Sequence, residues 1–513
     1  MVRGLGNLGG MSVTQAGHAP ARARASKRAA RDQDPRRTAA RSGIPREPDP
    51  GEPWPKRMLT SKLFWLSVVM LLVYATCLVL LYRQVVPDRQ VPGGKLLGLG
   101  TEAIPLAAKY AAVTAIPLSL VFLWADRFRP QRFWIWLMTF GWGACVATFL
   151  SAQINSWAAS HLSILGDGDP ATGARAAIYV APFVEESTKA TVLFWLAILM
   201  RYQWVSRLSG IVLAGLSATA FAFVENILYY GRVYRYAAQT FGEVEPEQAL
   251  QSLFKLRGLM TFFGHPLFTS MTGIGLAVAL RSKSKVVRVV APLAGFCAAA
   301  FLHMSFNATA TLVSGPSLLF MYLGVAVPAV VALTVFVVRQ LFREGRLIRE
   351  RLTDYVRLGW LPEGDPRDLS RLRTRTKALW HALFLGPAVF LDTIRMQRAM
   401  TELAYLRDAM TRGLVDRAGL AREKVLLSRV RSLRGSAVLH PTGRASYPQF
   451  RKPAFLDRND TAGAAWAPPN YPGPAGIGGN FPAPGAPQPG SAPLGQAATQ
   501  YSEVDPSWKP PGQ

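Results

Sequence analysis

The segment Val180-Ala181-Pro182-Phe183-Val184-Glu185-Glu186-Ser187-Thr188-Lys189 puts two adjacent carboxylates and a lysine into a stretch otherwise apolar enough to cross a bilayer. Each charge at the bilayer centre costs roughly 2.5–3.5 kcal/mol on insertion scales. Three in one helix therefore demand partners or a purpose, and other membrane-buried segments must supply both.

Composition agrees with a membrane setting. Half of the 513 residues are hydrophobic and only 17% are charged, below the roughly 25% usual in soluble domains. The formal net charge of +27 comes mainly from the first 60 residues, from short loops between apolar runs, and from the region after residue 338. Such placement suits flanks facing anionic lipid and argues against a nucleic-acid groove. Cys77, Cys145 and Cys297 each sit in an apolar run, so they form no disulfide framework and no CxxC motif, and they read as packing residues.

Eight apolar segments, each near the ~20 residues a bilayer core requires, are expected at about 62–82, 103–125, 133–154, 176–199, 208–228, 258–280, 288–310 and 317–340. The fold class that follows is all-α: a polytopic membrane protein with about eight transmembrane helices, a helical cytoplasmic region and disordered termini. The organisation reads as a disordered basic segment at 1–55, a membrane domain at 56–340, a basic helical region at 341–435, and a Pro/Gly/Ala-rich disordered tail at 436–513. The first apolar run begins near Leu63, too late for a cleavable signal peptide, and Met11 is an alternative start.

Lys and Arg in short loops mark the cytoplasm. Arg127, Arg129, Arg132, Arg201, Arg207, Arg281, Lys283, Lys285 and Arg288 then lie inside, while Arg232, Arg235, Lys255 and Arg257 lie in an outer loop balanced by Glu243, Glu245 and Glu247. Both termini are expected in the cytoplasm, in a multi-pass protein of the plasma membrane. The segment Ala378–Ile394, broken at Gly386-Pro387 and flanked by Arg and Lys, is expected to rest on anionic lipid rather than to form a ninth span. Trp134, Trp136 and Trp142 read as an interfacial belt and lipid-facing packing; His161 and His381 read as incidental.

Four apolar segments carry polar clusters: Glu185-Glu186-x-x-Lys189, Phe221-x-x-x-Glu225-Asn226, His265-Pro266-x-x-Thr269-Ser270 and His303-x-x-x-Asn307. Within each, residues four apart share a helix face. With alternating span directions, Glu185, Glu225, His265 and His303 all fall within roughly 14 Å of the outer face at helical rise. Four independent clusters at one depth suggest one site. A carboxylate beside a second carboxylate in a pocket of low dielectric suits a general base, and His and Asn can stabilise an oxyanion. The same residues, two His and one or two Glu, also have the composition of a divalent-metal site.

The order of these motifs resembles the PrsW family of intramembrane proteases, distantly related to CAAX-prenyl endopeptidases and bacteriocin-processing membrane proteases. The resemblance covers about residues 60–340 and rests on Glu185-Glu186-x-x-Lys189, Phe221-x-x-x-Glu225-Asn226, His265 and His303-x-x-x-Asn307. It implies endoproteolysis of membrane-embedded or membrane-anchored proteins, typified by anti-sigma-factor regulators, in contact with the lipid bilayer and without nucleic acid. It implies catalytic Glu185, Glu186, Glu225, His265, His303 and Asn307, with Glu185 as the water-activating base, Asn307 on the oxyanion, and Lys189 and Asn226 in support. Glu185, Glu225, His265 and His303 are the candidate ligands of a divalent metal such as zinc. In the CAAX relatives the second motif carries His, so Glu225 transfers least well. A Glu186–Lys189 ion pair of purely structural purpose is the plain alternative for those two residues. Rival classes are an ion- or metal-coupled transporter, which lacks support from any inverted repeat here, and a non-enzymatic scaffold or receptor.

Overall fold

In the computed structural model the described residues are Ile44 and 53–440, apart from 92–93, 129, 163–174, 205, 240–243 and 416. Of the disorder expected at 1–55 and 436–513, most lies outside the described residues, as do Arg129 and Glu243; among the described ones, Trp54 begins a short helix and Ala437, Val438 and Leu439 are buried.

Helix α1, Lys62–Val85, starts where the Ser61 hydroxyl accepts from the Phe64 amide at 3.4 Å, a capping contact that satisfies one of the free N-terminal donors. A small antiparallel hairpin, β1 Arg89–Val91 and β2 Gly94–Leu96, was not expected; it leads into α2, Gly100–Ala125. Helix α3 is built from Phe133–Gly141, a π-helical turn Trp142–Ala147 and Thr148–Leu162. Helix α4 is a π-helical turn Ala176–Val180 continued by Ala181–Leu199. Helix α5 spans Arg207–Gln239. Next come α6, Pro246–Phe254, a π-helical turn Lys255–Met260, and α7, Gly264–Leu280. Helix α8, Lys285–Leu312, is capped by Ser284. Helix α9 runs through Pro316–Met321, the π-helical turn Tyr322–Ala326 and Val327–Arg357.

Seven helical stretches among the described residues are long and apolar enough to cross a membrane, so the chain is a multi-pass membrane protein, but the expected count of eight is not confirmed. The expected span 176–199 is the one that does not qualify. It is helical as α4, yet Glu185, Glu186 and Lys189 interrupt its apolar run, and all three are buried inside the bundle.

Helix α5 is the central post, in contact with α2, α3, α4 and α7. Its crossing with α7 is close because two glycines face each other. A methyl group on Gly210 would lie 2.1 Å from the Gly273 carbonyl oxygen, and one on Gly273 would lie 2.3 Å from that of Gly210. In a membrane, where apolar transfer does not drive helices together, such small-residue contacts let backbones approach. One apolar cluster joins Met70 and Tyr74 of α1 to Trp142, Val192, Leu193, Leu213 and Leu276.

After α9 the chain forms a helical cap: α10 Asp365–Leu369, α11 Leu372–Leu385, α12 Pro387–Thr411 and α13 Arg417–Leu433. The predicted break at Gly386-Pro387 is real: Gly386 has φ 116°, a left-handed conformation that favours glycine. Trp380, Leu383 and Phe384 are exposed at that corner. The cap continues the interior of the membrane core, since Phe122, Phe128, Ile211 and Val212 share an apolar cluster with Ile348, Met400, Leu403 and Leu426. Buried Arg375 ties it to α2 by donating to the Phe128 carbonyl at 3.0 Å and to the Thr401 hydroxyl at 2.9 Å. Burial pulls its guanidinium down to about 10.

The close crossing gives a first expectation. Gly210→Ala should destabilise the fold by about 1–3 kcal/mol through overpacking, and Gly210→Leu should do so more severely. Reversible detergent unfolding reads this directly, and unchanged midpoints would remove the crossing as the device that sets α5 against α7.

Candidate active site

The local sequence of α4 explains how its charges face inward. Pro182 sits at the start of the regular helix, where its missing N–H costs nothing. Three contacts then fix the helix rotation: the Trp142 indole donates to the Thr188 carbonyl at 2.8 Å, the Ser217 hydroxyl donates to the Lys189 carbonyl at 3.1 Å, and the Ser151 and Thr188 hydroxyls are paired at 2.8 Å. Trp142, expected to face lipid, is instead buried and serves this purpose.

With that rotation set, Lys189 is fully buried. Its ammonium lies 2.8 Å from Glu186 Oε1, 2.9 Å from His265 Nδ1, 3.6 Å from Glu185 Oε2 and 4.3 Å from the Phe221 ring centroid. Glu186 is saturated: besides Lys189, it accepts from the Thr269 hydroxyl at 2.7 Å and pairs with His303 Nδ1 at 3.1 Å. Glu225 is likewise engaged, by His265 Nε2 at 2.8 Å and by the Arg257 guanidinium at 2.8 Å. Arg257 also donates to Asn226 Oδ1 at 3.0 Å and lies over the Tyr229 ring at 3.9 Å.

Each histidine is thus backed by its own carboxylate. His303 faces Glu186 through Nδ1 at 3.1 Å, and its Nε2 lies 3.8 Å from Glu185 Oε2. For His265 the assignment follows from Lys189: an ammonium only donates, so Nδ1 accepts from it and Nε2 donates to Glu225. Glu185 differs from the other two glutamates. Its Oε1 accepts from the Asn155 amide at 3.3 Å, while Oε2 is buried without a hydrogen-bond partner. A buried carboxylate oxygen left open is costly and calls for an explanation.

A cavity of about 260 Å³ lies beside this carboxylate, lined by Glu185, Glu225, Asn226, His265, His303 and Asn307 among others. The structure therefore brings together six of the eight residues singled out in the sequence. Glu186 and Lys189 stand behind the wall, holding His303 and His265. Asn307 donates to the Ala177 carbonyl at 2.9 Å, joining α8 to the first turn of α4. His161 is exposed and stacked on Trp157.

Two participants escaped the sequence reading. Asn155 lies one residue beyond the expected end of the third span, and its only signal is a polar face shared with Ser151 four residues earlier. Arg257 was counted as an outer-loop charge; the π-helical turn Lys255–Met260 instead aims it into the cavity.

Glu185, His265 and His303 each offer a ligand atom, all within 4.8 Å of one another. Two imidazoles and a carboxylate suit zinc with a position left for water, and each imidazole has the carboxylate behind it that orients metal-binding histidines. Glu185 Oε2, which accepts no hydrogen bond, and His303 Nε2, 3.8 Å from it, are the atoms placed to take a metal. His265 fits once it gives up one of its two contacts. Glu225, the fourth candidate ligand, is not in this group.

Residues 131–333 match the family described as PrsW family intramembrane metalloprotease. The match marks that stretch as similar to the intramembrane peptidases of the PrsW family, and the eight site residues singled out in the sequence all fall inside it. The match is narrower than the expected resemblance: it begins just before α3 and ends within α9, leaving α1, α2 and the cap outside. No curated protein and no solved structure matches the chain.

Thr269 offers a clean test of the carboxylate relay behind the PrsW motifs. Thr269→Val keeps the shape but removes a fully buried donor to Glu186, and it should cost about 1.5–3 kcal/mol, the range for hydrogen bonds to charged groups. A neutral result in detergent unfolding would contradict the saturated-Glu186 arrangement.

Proposed function

We propose that this chain hydrolyses peptide bonds of membrane-embedded or membrane-anchored proteins, of the anti-sigma-regulator type, at the cavity in front of Glu185. The observation that carries this reading is Glu185, which lines the cavity and whose buried Oε2 accepts no hydrogen bond, with the Lys189 ammonium 3.6 Å away. Basic loops on one side support an orientation with both termini in the cytoplasm of a plasma-membrane protein.

Glu185, His265 and His303 would hold the metal, which when bound would supply Lewis-acid polarisation of the scissile carbonyl and of a water. The roles of the chain's own groups follow from their contacts. Glu186 orients His303 through Nδ1, and Glu225 orients His265 through Nε2 while Nδ1 accepts from Lys189. Arg257 holds Glu225 in place. The amides of Asn226 and Asn307 on the cavity wall are the donors for an oxyanion. Lys189 balances Glu186, so that Glu185 is the carboxylate left for chemistry.

One observation favours a second reading. Both nitrogens of His265 are already occupied, by Lys189 and Glu225. In that reading Glu185 acts without metal and takes the proton of the attacking water through Oε2, with the same Asn donors on the oxyanion.

Glu185→Gln should abolish cleavage of a membrane substrate in proteoliposomes while leaving the unfolding midpoint nearly unchanged; wild-type turnover in that variant would exclude Glu185 from either role. Metal analysis of the purified protein with a chelator titration separates the two readings. Loss of activity on chelation, restored by zinc, is the outcome expected for the metal; full activity in a metal-free sample would leave Glu185 as general base.

A further inference from the structure

The three helices that deliver Glu185, His265 and His303 all have their other ends at one place. Arg201 follows the end of α4, Arg281 and Lys283 follow α7, and Arg288 lies in the first turn of α8. Arg201, Arg281 and Arg288 are 15 or 16 residues from their partners in the site, roughly 22–24 Å at helical rise. There, between the loops of the membrane core and the α12–α13 corner of the cap, lies a cavity of about 370 Å³.

Its wall carries five cations, Arg201, Arg281, Lys283, Arg288 and Arg412, and no carboxylate among the described lining residues. The nearby Asp408 is shared by three guanidiniums: Arg412, Arg281 at 3.4 Å and Arg351 at 3.6 Å. Burial, then crowding by Arg281, lowers the Arg412 pKa, with Asp408 opposing. Several of these cations are held in place. Arg288 Nε donates to the Ser282 carbonyl at 2.9 Å, and Arg412 donates to the Arg281 carbonyl at 3.3 Å. The rest of the wall is mostly apolar, with Ile44, Trp204, Leu280, Leu406 and Val415 beside Tyr202 and Tyr405.

We propose that this cavity is a binding site for a phosphate-bearing anion, and specifically for the headgroup of an anionic phospholipid, at the junction of the membrane core and the cap. Fixed cations around a concave wall match a phosphate diester. The position, level with the ends of three membrane helices, is where headgroups lie, and basic pockets of this kind between helices take anionic lipid. The apolar side gives the glycerol and first acyl carbons a surface. A headgroup bound here bridges the inner ends of α4, α7 and α8 to α12, so it fixes the spacing of the helices that carry the catalytic groups at their far ends. A soluble phosphate shares the chemistry but has no use for the apolar wall.

Binding is read on the full chain in neutral detergent, independently of proteolysis. Native mass spectrometry with phosphatidylglycerol should show one tightly retained lipid, with phosphatidylcholine not retained, and Lys283→Glu/Arg288→Glu should weaken retention roughly tenfold or more. Inorganic phosphate is the second probe. If it displaces the lipid, both use the same cations; if it raises the unfolding temperature while phosphatidylglycerol is not retained, the site is an anion site of soluble source and the lipid assignment is overturned. Equal retention of both lipids by the wild type, unaffected by charge reversal and by 0.5 M salt, together with no effect of phosphate, would overturn the site altogether. Should the double variant fail to fold, Arg201→Gln and the salt titration on wild type carry the same test.

Discussion

The structure depends on how one buried ammonium is satisfied. Lys189 has no exposed surface, and in a membrane-spanning bundle an unpaired cation at that depth would not be tolerated. Its partners come from two helices, Glu185 and Glu186 from α4 itself and His265 from α7, with the Phe221 ring of α5 beneath. Glu186 extends the network to α8 through His303. Four helices are therefore drawn to one point by a single charge, and the candidate site forms around it.

This arrangement divides labour among three glutamates of similar depth. Glu186 is spent on Lys189, Thr269 and His303, and Glu225 on His265 and Arg257. Of the three, only Glu185 keeps a buried oxygen without a hydrogen bond, and its side chain lines the cavity. Breaking one partner of a buried pair strands the other charge, whereas a complete network fixes geometry. The saturated carboxylates hold the two imidazoles, and the third is the one the proposed reaction uses.

Much of this was legible in the sequence, for physical reasons. Apolar runs near bilayer length locate the helices, and the charges at 185, 186 and 189 stand out because they are expensive there. Depth along alternating spans then brings His265 and His303 to the same layer. What the sequence concealed were residues whose type fits two settings. Arg257 beside an acidic loop looks like a solvated charge until the π-helical turn redirects it. Asn155 sits at a span end where a polar residue is unremarkable. Trp142 has the composition of an interfacial anchor, but it is buried against α4. The cap was readable as basic helices, yet its shared apolar cluster with α2 and α5 depends on tertiary contacts that amphipathic patterning does not specify.

The claim that the Lys189 ammonium organises the site is tested most directly by a double-mutant cycle of Lys189→Met and Glu186→Gln in reversible detergent unfolding. The account expects each single variant to be strongly destabilised, by about 3–5 kcal/mol, the cost of stranding one member of a buried pair. It expects the double variant to fall well short of the sum, with a coupling of roughly 1–3 kcal/mol. Additive effects would contradict it, because the two charges would then be buried independently and the convergence of α4, α7 and α8 would need another cause.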